Sequence, residues 1–321
     1  MAKRSHTWTQ WIWHYIHRST AANDKFYFIR RQVGLLINIL LIGLLVAILY
    51  QNQEILPFIG YIFTPRTIIS SLVLYLLSLV IQFLIWFELM DYRRLEYQRA
   101  IEEYIQTIFM GRLPGGLWKL VGRITVYRAP RLSPKTIIIV NLIEIILSLL
   151  ACFIILLLTI DITHLLRIAG IGTIIALLSG ISMYVGRFFP QLRLFQQRWR
   201  WFIWVCGFMG AWLCGGLIVY LVASPLSAMI SLGTAIMVWC VAGGIGLIFQ
   251  VLPLSVLIRD ATIAGLLQSF MPLSSAIVAA FAVRMIMMVS ELVVGWMLLA
   301  IARSPWFQGH VLRFVPPRED G

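Results

Sequence analysis

Residues 111–123 read GRLPGGLWKLVGR. Pro114 has no backbone N–H to donate and disfavours a helical conformation in the residue before it. Gly115 and Gly116 permit positive φ or the close approach of another backbone. Before them, YRRLEYQRAIEEYIQTIFM (92–110) alternates charged and apolar residues with helical period, and LWKLVGR after them can restart a helix. The reading is therefore helix, break, helix. In a soluble protein this is a loop. In hydrocarbon no backbone group can go unsatisfied, so such a break must be enclosed by protein or line a wet cavity.

The rest of the chain indicates which solvent applies. Of 321 residues, 60% are hydrophobic and only 12% charged, where a soluble domain carries about a quarter charged residues. Apolar runs long enough to cross a bilayer recur. They predict spans at about 33–50, 67–90, 137–160, 168–189, 201–223, 227–251 and 274–301. The expected fold is an all-α polytopic membrane protein with seven or eight transmembrane helices and two broken or re-entrant segments, 111–123 and 252–273. If 252–273 dips in and returns there are seven spans; if it crosses as a broken helix there are eight. Residues 1–32 form an N-terminal interfacial amphipathic segment, 33–301 the transmembrane domain and 302–321 a tail.

The net charge of +13 comes from basic residues beside the apolar runs. Segments before the first span, at 91–136 and at 187–200 are rich in Lys and Arg, and the intervening connections are poor in them. That asymmetry predicts a cytoplasmic N-terminus in the plasma membrane. It points to anionic lipid headgroups as partners, not nucleic acid. Trp8, Trp11, Ile12, Tyr15 and Ile16 recur at helical spacing, as in a helix lying in the interface. The same aromatic segment also suits docking of a membrane protein partner.

Two segments carry chemistry. Around Gly115 and Gly116, exposed amides form an anion site, and Lys119 and Arg123, four residues apart, add charge from one face. The plainer alternative is a surface loop whose basic residues only set topology. The second segment is LPLSVLIRDATIAGLLQSFMPL (252–273), with Arg259 and Asp260 in apolar surroundings. Pro272 precedes the last span as Pro134 precedes the third. Each of those spans holds charge: Glu144 in one, Arg284 and Glu291 in the other. Interrupted apolar segments in two halves of a chain point to a transporter's binding site. Charges inside spans are costly, so they default to function or to mutual pairing. Arg284 and Glu291 share a helix face but stand about 10 Å apart along it, so each is expected to find another partner. Glu144 with Arg123 or Arg284, and Asp260 with Arg259 or another arginine, are the pairs to look for.

LPGGLWKLVGR, a basic link, Ser133-Pro134 and a span bearing Glu144 resemble the transmembrane region of the lysylphosphatidylglycerol synthase/flippase family. So does the later order of Leu252-Pro253, Arg259-Asp260, a helix containing Leu266-Leu267, a turn, and a span with Arg284 and Glu291. The similarity covers roughly 95–301. It implies translocation of a polar-headed lipid between leaflets: a phospholipid, an aminoacylated lipid or a polyprenyl-linked glycolipid. The headgroup would rest on Gly115, Gly116, Lys119, Arg123, Arg259, Asp260 and Arg284, with Glu144 and Glu291 as buried charge partners.

Other classes find less footing in the sequence. Cys152, Cys206, Cys214 and Cys240 lie in apolar runs without metal-ligand spacing, and the histidines form no ligand motif. There is no GxxxxGK[ST] loop for a nucleotide. No nucleophile or metal set suggests an intramembrane enzyme, so neither catalysis nor a cofactor is expected. The alternative to lipid translocation is a non-transporting structural subunit of a larger membrane complex.

Overall fold

A computed structural model of the chain describes residues 62–90, 134–160, 198–250 and 255–303, together with single positions that include Tyr104, Ile105, Thr107, Ile108, Leu120, Arg123 and Ile124. The interfacial segment at 1–32, the spans expected at 33–50 and 168–189, Gly115, Gly116, Lys119 and the tail beyond Arg303 lie outside the described residues. The chain divides into two units, Met1–Ala47 and Ile48–Gly321; the helices below belong to the second.

All regular structure among the described residues is helical. The helices are α1 (Pro65–Leu89), α2 (Pro134–Thr159), α3 (Arg198–Ala223), α4 (Leu232–Ile248), α5 (Ser255–Leu267) and α6 (Leu273–Arg303). Their starts follow local chemistry. Thr64 caps α1 by accepting a hydrogen bond from the Thr67 N–H at 3.2 Å, with Pro65 in the first turn. Ser231 caps α4 in the same way from the Thr234 N–H at 3.1 Å. The expected span at 227–251 is shorter at both ends, because residues 224–231 form a turn and Ser231 starts the helix only after it.

Four of these helices, α1, α2, α3 and α6, are long and apolar enough to cross a membrane. Their outward faces carry large apolar side chains: Ile69, Val73, Leu77 and Leu84 on α1, Phe153 on α2, Phe202 on α3, and Leu292, Val293 and Trp296 on α6. Exposed apolar surface on that scale has no favourable partner in water. It fits a protein embedded in lipid. By contrast α4 spans about 26 Å and α5 about 20 Å, both short of a hydrocarbon core of about 30 Å.

Helix α3 is the hub, packing against α1, α2, α4 and α6. Its glycines set how closely the neighbours approach. A Cβ on Gly207 would stand 2.9 Å from Ile85 of α1, and one on Gly216 would stand 2.7 Å from the Ile236 Cα of α4. A core of Trp86, Trp201, Trp204, Phe208, Ile137 and Leu147 joins α1, α2 and α3. Polar contacts tie the ends. Trp204 Nε1 donates to Glu88 Oε2 at 2.7 Å, joining the start of α3 to the end of α1. Ser227 Oγ donates to the Phe270 carbonyl at 2.8 Å, joining the turn after α3 to the turn before α6. Near the other end of α4, a Cβ on Gly246 would meet Arg259 of α5 at 3.3 Å. Helices α4 and α5 therefore run antiparallel, side by side.

The Gly216 contact is with backbone, so no side-chain rotation relieves it. Replacing Gly216 with alanine should cost about 1–3 kcal/mol by forcing α3 and α4 apart. Thermal unfolding of the detergent-purified protein measures this, with Gly265→Ala, where a Cβ meets nothing within 4 Å, as the control. Equal stability of the two variants would mean that the α3–α4 approach is looser than described.

Candidate functional site

Among the described residues, two clusters of charged side chains stand out, and they share no helix. The first is centred on Arg123, which has no exposed surface. Its guanidinium donates to both carboxylate oxygens of Glu144, with Nη2 to Oε1 at 3.2 Å, and Nη1 also donates to Asn141 Oδ1. Asn141 and Glu144 are three residues apart and so share one face of α2. Trp86 of α1 covers the cation, with its ring centroid 3.6 Å from Arg123 Cζ. A bidentate carboxylate, an amide and an aromatic face together meet most of what a desolvated guanidinium requires. Of the two partners considered for Glu144, Arg123 is the one it takes. In this conformation Arg123 is closed to any ligand from outside.

The second cluster lies where α4, α5 and α6 meet. Arg259 Nε and Nη2 both donate to Asp260 Oδ1 at 3.3 Å, and Arg284 Nη1 of α6 donates to Asp260 Oδ2 at 3.1 Å. Two guanidiniums thus share one carboxylate. The side chains are 24%, 14% and 14% exposed for Arg259, Asp260 and Arg284, so this cluster is reachable where the first is not. Arg259 Nη1 has no acceptor among the described residues. The Trp239 ring of α4 lies 5.5 Å from Arg259 Cζ. Arg284 stands about 16 Å along α6 from its start at Leu273, and Arg259 about 12 Å along α5 from its end at Leu267. Both values fall near half the thickness of a hydrocarbon core of about 30 Å.

Glu291 does not pair with Arg284. It accepts a hydrogen bond from the Tyr75 hydroxyl of α1, so Arg284 and Glu291 turn to different neighbours. Sequence reasoning anticipated separate partners for them. It missed Trp86, Asn141, Tyr75 and Trp239, which supply the non-ionic half of each arrangement. Asn141 was legible in principle, three residues before a span glutamate. The aromatic residues were not, since the chain has 12 Trp and 11 Tyr to choose from.

Among the described residues, no three His, Cys, Asp or Glu side chains gather as metal ligands would. Cys152 donates to the Cys240 carbonyl at 3.2 Å, a packing contact between α2 and α4. No family model matches the chain, and no curated protein matches it. The functional reading therefore starts from the two clusters.

The first cluster yields a test of its own. Arg123→Met leaves the Glu144 carboxylate buried without its cation, and the loss should be about 3–5 kcal/mol. Arg123→Met combined with Glu144→Leu removes both charges and should be less damaging than the single change. Chemical unfolding of the three proteins in one detergent makes the comparison. A double variant as unstable as the single one would show that volume, not charge, governs this site.

Proposed function

We propose that this protein handles the anionic headgroup of a lipid within the membrane and passes it between leaflets. The carrying observation is the cluster of Arg259, Asp260 and Arg284: two cations on one carboxylate, partly open, each about a third of the way along its helix. Cations inside hydrocarbon are costly unless anions attend them, and Arg259 Nη1 has no acceptor among the described residues. A lipid phosphate supplies such an anion while its tails stay in hydrocarbon. The short antiparallel pair α4–α5 supports the reading, because two helices that fall short of a full crossing suit a hairpin let into the bilayer from the Ser227 side. Irregular backbone at membrane depth is tolerated beside a polar cavity.

The resemblance of 95–301 to the lysylphosphatidylglycerol synthase/flippase transmembrane region fits this proposal. Gly115, Gly116 and Lys119 would serve as the other half of the headgroup path. Arg123, enclosed by Glu144 and Trp86, would hold the segment before it in place rather than touch the lipid. The basic segments at 91–136 and 187–200 flank the ends joined by Glu88 and Trp204, which supports placing that end on the cytoplasmic side of the plasma membrane. Lipid aminoacylation is not part of the proposal.

A specific observation favours a second reading. A buried Arg123–Glu144 pair favours a fixed arrangement of α1 and α2, as a structural subunit of a membrane complex would need. Stable co-purification with other membrane proteins, without lipid movement, would be its mark.

Scrambling of a labelled anionic phospholipid in vesicles containing the purified protein separates the readings. A charge-assisted hydrogen bond contributes about 1.5–3 kcal/mol, so Arg259→Gln should slow scrambling about tenfold or more. Arg259→Lys should recover part of the rate, since a phosphate accepts a point charge but loses the fork. Wild-type rates no faster than empty vesicles would end the translocation reading.

A further inference from the structure

Arg259 does not reach its position unaided. Its stem passes Gly246 of α4, where a Cβ would stand 3.3 Å from Arg259 Cβ and 3.6 Å from Cγ. Its guanidinium then lies over the Trp239 ring, one face of which it shares with no other cation among the described residues. Trp239 is itself held by a second glycine. A Cβ on Gly215 of α3 would stand 2.1 Å from the indole nitrogen and 2.3 Å from the adjoining ring carbon. The ring also meets Trp212 at a centroid distance of 6.3 Å and a tilt of 57°, and Trp212 is fixed by donating from Nε1 to the Ser148 carbonyl of α2 at 2.9 Å. The Trp239 indole N–H has no acceptor among the described residues. A polar group left unmatched at the edge of an apolar seam implies that the ring is there for its face or for a ligand, not for a hydrogen bond within the protein.

We infer that Trp239 is a positioning residue for Arg259: its ring supports the guanidinium so that the fork stays turned toward an incoming phosphate instead of folding fully onto Asp260. The inference rests on the anionic-lipid reading above and extends it from the charges to an uncharged residue on a different helix. The physical basis is competition. Asp260 holds Arg259 through two contacts of 3.3 Å, each longer than the 2.7–2.9 Å usual for a charge-assisted bond. An aromatic face attracts the cation without consuming its N–H donors, because the attraction acts through the ring quadrupole. Arg259 thereby keeps Nη1 for an external oxygen. Gly215 and Gly246 provide the space that lets the ring and the stem lie side by side.

The test is binding of phosphatidylglycerol, presented in phosphatidylcholine nanodiscs to the full-length protein, by wild type, Trp239→Leu, Trp239→Phe, Arg259→Gln and the double variant Trp239→Leu/Arg259→Gln. Removing the ring should weaken binding about threefold to tenfold, the range of a partly desolvated cation–π contact. Trp239→Phe keeps an aromatic face and should recover most of it. In the Arg259→Gln background, Trp239→Leu should change nothing further, since the residue acts through the arginine. Thermal unfolding of each variant accompanies the binding series, and a melting shift without the binding pattern counts against the proposal. Wild-type binding by Trp239→Leu, an equal loss in both backgrounds, or no recovery by phenylalanine would overturn the positioning role while leaving the lipid site intact. Equal binding by wild type and Arg259→Gln would instead remove the site itself. Inorganic phosphate, titrated into detergent-solubilised protein, distinguishes the source: binding with the same Trp239 dependence keeps the assignment with a soluble anion as ligand.

Discussion

A guanidinium enclosed in protein has no water to turn to, and Arg123 meets that constraint with Glu144. Everything around the pair follows from keeping it dry and matched. Asn141 takes up a further N–H on the same face of α2, and Trp86 covers the plane from α1. Trp86, fully buried, then belongs to the core that α3 also enters through Trp201, Trp204 and Phe208. A buried pair of this kind adds little net stability over apolar residues of equal volume, but it strongly disfavours any packing that separates its members. It specifies which helices meet, while the surrounding apolar contacts stabilise the meeting.

The second cluster obeys the same electrostatics with a different outcome. Here one carboxylate serves two guanidiniums, and the group remains partly open. The contrast separates a charge arrangement closed off by protein from one that is partly open. It also divides labour between helices: α1 and α2 hold the closed pair, and α4, α5 and α6 hold the open cluster. Helix α3 lies against both sets through its glycines, with Gly207 toward α1 and Gly215 and Gly216 toward α4. A shift of α3 would therefore be felt at Trp239 as well as at Ile85.

Much of this was legible in the amino-acid order because it depends on short-range chemistry. Runs of apolar residues, two of them preceded by Pro134 and Pro272, gave α1, α2 and α6 to within three residues at each end. Arg259 beside Asp260 announced a local pair. Glu144 and Arg284, charged residues in long apolar runs, had to be paired, since hydrocarbon leaves no alternative. The turn at 224–231 was legible only in its first half: the expected spans leave a break at 224–226, but the second of them starts at 227, where the helix begins only after Ser231.

What the order of residues determined, then, is that the chain is helical, that its helices suit lipid, and that its few intramembrane charges need counter-charges. These follow from hydrophobicity, from proline, and from the cost of charge in a medium without water. Which counter-charge is chosen was decided only by the tertiary structure. Helices that are apolar all round carry no stripe to mark an inner face, so nothing local says that Glu144 turns to Arg123 and Asp260 to Arg284. That choice was made by shape. Gly215, Gly216 and Gly246 allow α3, α4 and α5 to approach until Trp239 and Arg259 fit between them, and a glycine in a sequence does not reveal whose side chain will fill the space it leaves.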